Sequence, residues 1–336
     1  INVQSANDSF VLNNSVFSGG STTANIGLRV ATLAFRNNLT HNRVLSRGTN
    51  DNYGAQIDNS NFNILEYNNI TTNGSTTTNI VVVHTTSQQN NITNNVIFTN
   101  GTSANEGIRL QTDSNTTVID NNNITTTGRA GSNYGINLLT RVISNNVSNN
   151  LINTSGTTDN IGIQLSTSIN DSILLNNTIA SGGSTNGNIG VRITTRSFRN
   201  KITQNRISNT SGTTGNYGIQ IDTDTNLTTI DRNNITTSGT TTNNAGMLLL
   251  TRAGLNNITN NLIKTHSVGS GGSGIIIQTD SRHNVADSNN ISTNGSAGSN
   301  IGVYLFTRST SNNVSNNVIN TSGTSSNYGI YLNNPA

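Results

Sequence analysis

The chain has 336 residues and a formal net charge of +3, and it contains no cysteine, so disulfides and thiolate metal sites are excluded. Apolar residues make up 31% and charged residues 9%, far below the roughly 45–50% and 25% of ordinary globular domains. The polar majority is neutral and only one Pro is present, which argues against a disordered chain rich in proline and charge.

Two further classes are excluded by how the residues are distributed. Arg and Lys are scattered and aromatic residues reach only 4%, so no nucleic-acid-binding surface is apparent. No apolar run approaches the roughly 18 residues of a membrane span. The chain begins at Ile1, without Met or an apolar signal segment, which favours a processed, secreted protein of the extracellular space or cell surface.

The first repeated element is the tripeptide Asn-x-Gly followed by alternating apolar residues, as in NIGLRV and NYGIQI. An apolar period of two predicts a strand. The glycine recurs about every 27 residues, and such a period is typical of a solenoid whose units are completed by stacking on their neighbours. We therefore predict an all-β fold, a parallel β-helix of about twelve coils that forms one domain over residues 1–336.

The second repeated element follows six residues after the glycine and is a column of alternating charge, preceded almost everywhere by Thr. Equivalent residues of successive coils stack about 4.8 Å apart, where opposite charges attract. The alternation indicates a structural unit of two coils. The predicted charge ladder consists of Asp113, Arg141, Arg196, Asp224, Arg252, Asp280 and Arg308.

The third repeated element is a second strand that carries one Asn per coil between two apolar positions, as in Ile202, Asn205 and Ile207. Stacked amides at the strand spacing hydrogen-bond to each other along the axis. Because an unpaired buried amide is costly, such a column requires an Asn from nearly every coil. The predicted Asn ladder consists of Asn14, Asn42, Asn68, Asn95, Asn122, Asn150, Asn177, Asn205, Asn233, Asn261, Asn289 and Asn317.

With these repeats, as in NYGIQIDTDTNLTTIDRNNITTSG, essentially the whole chain resembles the right-handed parallel β-helix repeat proteins, the pectate-lyase-like and NosD-like solenoids. The resemblance implies the fold. That superfamily holds polysaccharide lyases and hydrolases, phage tailspikes, adhesins and surface proteins without catalysis, so the resemblance implies no single function.

The candidate catalytic residues are few. Asp222 with Asp224 and Arg252 is the best cluster, but its chemistry would recur at Asp280 and Arg308, and active sites are not usually duplicated along a solenoid. No irregular cluster of carboxylates and a base breaks the repeat, so we expect no catalytic residues, no metal and no cofactor. The four histidines share no column or metal-ligand spacing and are interpreted as turn residues: His41, His84, His266 and His283.

The outward face of the first strand changes character along the chain. At the position two residues after each glycine, the side chains of the first eight coils are polar apart from Val83, and those of the last four are apolar. An apolar stripe on an otherwise polar surface indicates a contact surface, either for a partner or for a neighbouring segment of a longer precursor. The predicted interaction patch consists of Leu248, Leu250, Ile276, Tyr304, Phe306 and Tyr331.

Asn-x-Ser/Thr sequons suit a glycosylated secreted surface, although a chain this rich in Asn generates many by composition. The candidate glycosylation sites are Asn91, Asn146, Asn234 and Asn313.

The sequence therefore favours a non-enzymatic extracellular structural protein that associates end to end into a filament, sheath or stalk, because both ends of the chain lie on the same strand of a coil. The alternative is a carbohydrate-active or carbohydrate-binding β-helix, such as a lyase, hydrolase or adhesin, with glycans or polysaccharide as partners. Ice binding is weighed as a third function, but it requires a flat Thr face, and the Thr column here borders charged residues.

Overall fold

The computed structural model describes residues 1–21, 24–75 and 79–333, and in these ranges it contains 37 strands and no helix. The strands form three parallel sheets, named A, B and C in the order in which the chain enters them. Each coil adds one strand to each sheet, which gives twelve coils and a thirteenth strand in sheet A. The predicted right-handed parallel β-helix is confirmed.

The strands of sheet A are Asn2–Gln4, Ile26–Ala31, Asn52–Asp58, Asn79–Thr85, Glu106–Gln111, Asn133–Leu139, Asn160–Ser166, Ile189–Thr194, Tyr217–Ile221, Asn244–Leu249, Gly272–Gln278, Ser299–Phe306 and Ser325–Asn333. Those of sheet B are Phe10–Leu12, Asn38–Thr40, Ile64–Glu66, Asn91–Thr93, Val118–Asp120, Asn146–Ser148, Ile173–Leu175, Lys201–Thr203, Thr229–Asp231, Asn257–Thr259, Val285–Asp287 and Asn313–Ser315. Those of sheet C are Ser15–Gly20, Arg43–Gly48, Asn69–Gly74, Val96–Gly101, Asn123–Gly128, Leu151–Gly156, Thr178–Gly183, Arg206–Ser211, Asn234–Gly239, Leu262–Ser270, Asn290–Ala297 and Val318–Ser322.

The core is a stack of aliphatic columns inside the three sheets. In sheet B the centre of each short strand points inward, so that Leu65, Ile92 and Ile119 lie on consecutive coils in register and are fully buried. The residues on either side of each centre point outward. Since each coil supplies only a few core residues, its hydrophobic surface is buried only by its neighbours.

The corners between sheets use residues in the left-handed region. Thr223 and Asp224 leave sheet A with φ of 46° and 58°, and Gln204 leaves sheet B with φ of 57°. The second strand predicted from the sequence is therefore two strands, because the left-handed residue before Asn205 bends the chain from sheet B into sheet C. Small neutral polar residues, Asn above all, tolerate the left-handed region better than β-branched apolar residues do. A chain whose polar majority is neutral can therefore form many such corners.

The predicted Asn ladder lies inside the corner between sheets B and C and is confirmed over all twelve coils. Every side-chain amide except that of Asn317 donates to the side-chain carbonyl of the next coil at 3.0–3.1 Å. The same carbonyl also accepts the backbone N–H of the preceding ladder residue, as Asn205 does from Asn177. The ladder therefore fixes both the side chains and the backbone of this corner.

Two further Asn ladders line the other corners. The Asn of the Asn-x-Gly motif forms one between sheets C and A, in which Asn133 donates to Asn160 at 2.8 Å and Asn160 to Asn188 at 2.8 Å. The other, between sheets A and B, is broken: Asn63 donates to Asn90 at 3.1 Å, but Thr117 occupies the next position. Sequence analysis used the first set as strand markers and missed the second.

Candidate functional site

Sheet A carries two rows of outward side chains, one immediately before the glycine and one two residues after it. Row 1 includes Tyr53, Glu106, Tyr134, Ile161, Ile189, Tyr217, Ala245, Ser273, Ile301 and Tyr328. Row 2 includes Arg29, Gln56, Arg109, Asn137, Gln164, Arg192, Gln220, Leu248, Ile276, Tyr304 and Tyr331. Row 2 is polar in the early coils and apolar in the last ones, whereas row 1 mixes tyrosines with aliphatic residues throughout.

The apolar half forms an open groove of about 450 Å³. Leu248 is only 4% exposed and forms part of its floor. The other apolar and aromatic lining residues are Tyr217, Ile276, Ile301, Tyr304 and Phe306. Polar groups lie among them, supplied by residues such as Asn243, Gln278 and Ser299.

Four residues of the predicted interaction patch, Leu248, Ile276, Tyr304 and Phe306, line this groove. Tyr304 stacks on Phe306 with ring centroids 4.3 Å apart and on Tyr331 at 5.2 Å. Leu250, the sixth residue, is half-buried just beyond its strand and does not line the groove. The role of the patch in binding stays a prediction.

The polar half contains an ion pair that sequence analysis missed. Glu106 of row 1 is 3% exposed, and its carboxylate accepts from Arg109 Nε at 2.6 Å and from Arg109 Nη2 at 2.5 Å. Burial opposes the charge of Arg109, but the hydrogen bonds and charge of Glu106 outweigh it and raise the pKa of the guanidinium. The pair joins one carboxylate to a guanidinium, so the expectation that no irregular cluster of carboxylates and a base breaks the repeat stays a prediction.

The sequence contains one weak sign of the Glu106–Arg109 pair. Glu106 is the only acid found immediately before the glycine of an Asn-x-Gly motif. Residues three apart on a regular strand point to opposite faces, but the register between coils skips Gly107, which places Glu106 and Arg109 on the same face. In the repeat, Glu106 lies before the glycine and Arg109 lies after it, so the two residues belong to different columns.

Row 2 also holds buried polar atoms that have no hydrogen-bond partner among the described residues. Asn137, which is 3% exposed, has an unpartnered Oδ1, and its register neighbour is Arg109. The others are Gln56 Oε1, Gln164 Oε1, Arg29 Nε and Arg192 Nε. These atoms are buried, and the inward hydroxyls of Thr99, Thr126 and Thr154 in sheet C are likewise buried without a partner, so unpaired atoms alone do not mark row 2 as a binding surface.

Three tyrosines of row 1 recur every third coil: Tyr53, Tyr134 and Tyr217. Burial raises the pKa of each phenol. All three therefore remain protonated at neutral pH, where they act as hydrogen-bond donors and not as bases.

The predicted charge column at the corner between sheets A and B forms separate pairs, each joining an odd-numbered coil to the next coil. Arg252 binds Asp224 with Nε–Oδ1 and Nη2–Oδ2 distances of 2.6 and 3.0 Å. Asp113–Arg141 and Asp280–Arg308 have the same two-bond geometry. Within the described part of the chain, Arg196 forms no ion pair shorter than 4.0 Å.

A second set of such pairs lies three residues further along the same corner. Asp8 binds Arg36, and Asp171 binds Arg199, each through two hydrogen bonds of 2.7 and 2.8 Å. The Asp again lies on the odd coil. Hydrogen bonds from the guanidinium lower the pKa of both carboxyls. The pairs are exposed, so each contributes little to stability and mainly fixes the coil register.

Residues of the next coil donate hydrogen bonds to the carboxylates of Asp120, Asp231 and Asp287. Asp287 accepts from Ser315 Oγ at 2.7 Å and from Asn316 Nδ2 at 2.8 Å, and hydrogen bonds from Ser315, Ser288 and Asn316 lower its pKa. Asp120 and Asp231 have equivalent hydroxyl and amide donors.

The candidate catalytic cluster is not assembled as the sequence suggested. Asp224 is bound to Arg252, whereas the Asp222 carboxylate accepts from the Thr223 hydroxyl at 3.0 Å. No ion pair within 4.0 Å links Asp222 to Arg252 in the described ranges.

The interpretation of all four histidines as turn residues is half wrong. His41 and His283 occupy left-handed turns, and His41 stacks on Tyr67 at 5.2 Å. His266 lies in a sheet C strand. His84 lies in sheet A with its ring in the core, between Ile57 and Leu110 of the neighbouring coils.

The buried ring of His84 is only partly hydrogen-bonded. Its Nε2 is 2.6 Å from Asn90 Nδ2, whereas its Nδ1 has no partner among the described residues. Burial lowers the pKa of His84 to about 3. Over the residues described, coils 3 and 4, which contain Asn52–Asp58 and Asn79–Thr85, lack the two-bond Asp–Arg pair of the other coils; Asp58 of coil 3 lies 4.0 Å from Arg29 instead.

Three of the four candidate glycosylation sites, Asn91, Asn234 and Asn313, have exposed side chains on outward strand positions. Asn146 is half-buried, and its Oδ1 is buried without a partner. Their modification stays a prediction.

Over residues 1–21, 24–75 and 79–333, no three His, Cys, Asp or Glu side chains are grouped so that they could hold a metal ion. The same ranges contain no helix long and apolar enough to cross a membrane.

The sequence matches no protein-family model and no curated protein. Solved structures with a similar chain path include the A-module of the Azotobacter vinelandii mannuronan C-5 epimerase AlgE6, at 12% identity over 96% of this chain and 91% of that one, with a TM-score of 0.45.

They also include the periplasmic alginate epimerase AlgG, at 13% identity over 93% of this chain and 78% of that one, with a TM-score of 0.41. The Dettilon tailspike protein is 10% identical over 83% of this chain and 62% of that one, with a TM-score of 0.36. At these identities and TM-scores the likeness carries no inference about activity. The chain is an all-β parallel β-helix with internal asparagine ladders.

Proposed function

We propose that this chain is a non-catalytic, exported β-helix that binds glycan chains along the outward face of sheet A. The observation that supports this function is the groove beside Tyr304, in which aromatic and aliphatic carbon alternates with amide and hydroxyl groups. A sugar ring has an apolar face and a rim of hydroxyls, and a groove of this kind complements both. A glycan-binding function also suits a location outside the cytoplasm.

The groove favours binding over catalysis. Among the described residues that line it, the only titratable groups are the phenols of Tyr217 and Tyr304. Burial raises the pKa of Tyr217, which disfavours it as a base. Lyases and glycoside hydrolases need a base or a pair of carboxyls at the reacting bond. The groove offers neither.

We expect Tyr304→Ala to weaken glycan binding about tenfold or more, because truncating a central aromatic side chain removes most of its contact area. Calorimetry measures the binding of a panel of oligosaccharides to the parent chain. The oligosaccharide that binds most tightly is then used to compare the variants. Tyr67→Ala is the matched control, since Tyr67 is 52% exposed on another corner. Equal affinities of the two variants for the oligosaccharide, or no binding by the parent chain, would contradict the proposed function.

A further inference from the structure

We infer that Arg192 is a carboxylate-binding position on the outward face of sheet A, and that the glycan bound along this face carries acidic sugar units. This inference rests on the proposed glycan-binding function and names the class of glycan. It is drawn from a guanidinium that has no ion-pair partner in the part of the chain that the structure describes.

Row 2 contains three arginines, and two of them have a carboxylate of the chain beside them. Arg29 Nη2 lies 4.0 Å from Asp58 Oδ2, and Arg109 binds Glu106 through two hydrogen bonds. Over the described ranges, Arg192 has no carboxylate within 4.0 Å, although its side chain is half-buried. Because a cation taken partly out of water is stabilised by a counter-charge, Arg192 is the position in row 2 where an anion is missing.

The end of the Arg192 side chain is the part that a ligand can reach. Its Nε is buried without a partner, so this atom lies beneath the surface. Row 2 points outward, and Nη1 and Nη2 are not among the buried unpaired atoms. Two N–H groups from the two Nη atoms of one guanidinium match the two oxygens of a carboxylate. Arg192 therefore presents a free two-donor fork at the surface.

The residues in register with Arg192 are neutral. Gln164 and Gln220 lie beside it on the two neighbouring strands, and each side-chain amide has N–H donors that a carboxylate accepts. Asp222 lies two residues beyond Gln220, but its carboxylate accepts from the Thr223 hydroxyl and forms no ion pair with Arg192 within 4.0 Å. A ligand carboxylate can therefore bind at Arg192 without displacing one of the chain's own.

Arg192 lies in line with the apolar groove. Arg192, Gln220 and Leu248 occupy three successive strands of sheet A in register, and Leu248 forms part of the floor of the groove. At about 4.8 Å per strand, the two steps span roughly 10 Å. An acidic oligosaccharide running along the coil axis can place one sugar in the groove and the carboxylate of another at Arg192.

A uronate oligosaccharide, and the same oligosaccharide with its carboxyls reduced to neutral hydroxymethyl groups, are the probes. They have the same length and differ only in charge. Calorimetry at low salt measures their binding to the parent chain. We expect the uronate to bind about tenfold more tightly than its reduced form, because a charge-assisted hydrogen-bond pair is gained at Arg192. The difference should narrow as salt is added.

Arg192→Gln tests the position directly, and Gln is the residue found in register on both neighbouring strands. We expect it to weaken uronate binding about tenfold and to leave binding of the reduced form nearly unchanged. Arg206→Gln is the matched control, since Arg206 is exposed on sheet C and its loss changes the net charge equally. Circular dichroism establishes that both variants keep the β-helix.

The outcomes separate this inference from the proposed function. If the reduced oligosaccharide binds as tightly as the uronate, or if the two variants weaken uronate binding equally, the inference is overturned while glycan binding stands. If oligoglutamate of equal charge binds more tightly than the uronate, Arg192 serves an acidic peptide, and the inference is again overturned. If neither oligosaccharide binds, both proposals fall.

Discussion

Asn205→Leu is expected to destabilise the protein by about 3–5 kcal/mol, because several buried groups lose their partners together. Asn205 is 1% exposed, and its Nδ2 donates to Asn233 Oδ1 and to Leu174 O. Its Oδ1 accepts both the side-chain amide and the backbone N–H of Asn177. Leu fills the volume but satisfies none of these groups. The shift in urea midpoint, compared with the parent chain, measures the loss.

Asn123→Leu is the matched control for this substitution. Asn123 is exposed on sheet C, and its register neighbours, Val96 and Leu151, are apolar, so Leu is compatible with the site. An exposed change of this kind should alter stability by less than about 0.5 kcal/mol. A similar midpoint for the two variants would contradict the structural role of the inner ladder.

His84 is expected to make the protein lose about 2 kcal/mol of stability between pH 7 and pH 5. Burial lowers its pKa from 6.5 to about 3 in the folded chain. The unfolded chain therefore binds a proton below pH 6.5 that the folded chain binds only near pH 3. Because protons favour the unfolded state, stability falls as pH drops through 6.5 and continues to fall until about pH 3.

His84→Leu should remove this pH dependence and raise stability at pH 7 by about 1 kcal/mol, because it eliminates an unpaired buried ring nitrogen. Its register neighbours, Ile57 and Leu110, are already apolar. Asn90 keeps Ser60 O and Gln88 O as acceptors, both at 3.0 Å. Urea midpoints at pH 7, 6 and 5 test the prediction, and a variant that weakens with acid as much as the parent chain would refute it.

The fold was predictable because its signals are local and repeated. An apolar period of two predicts strands, and a glycine about every 27 residues fixes the coil. The inner Asn ladder was predictable because its column is complete from Asn14 to Asn317. A single complete column is a strong signal even in a chain in which Asn is abundant.

What the sequence did not reveal depends on backbone geometry and on contacts between coils. The third strand of each coil was missed because left-handed corners are occupied by residues as different as Thr223, Gln204 and Arg232, which share no motif. The broken Asn ladder between sheets A and B was hidden by the abundance of Asn. His84 was placed in a turn because a core that is otherwise aliphatic gives no reason to expect an imidazole.

The candidate site was only half predictable for the same reason. The apolar residues around Tyr304 form a visible stripe, since several coils carry them at one position. Glu106 occurs once, and its contact with Arg109 depends on a register that skips Gly107. A residue that occurs once in a repeat protein leaves no periodic signal in the sequence, although it is where the protein departs from its repeat.

The odd-to-even Asp–Arg pairs limit how a solenoid of this kind can change length. Each pair joins an Asp on an odd-numbered coil to an Arg on the next, as Asp224 does with Arg252. Removing the coil of Arg252 would leave Asp224 and Asp280 facing each other across about 4.8 Å, whereas removing the coils of Asp224 and Arg252 together leaves the Asp280–Arg308 pair intact. In this part of the chain a change in length is therefore best tolerated in steps of two coils.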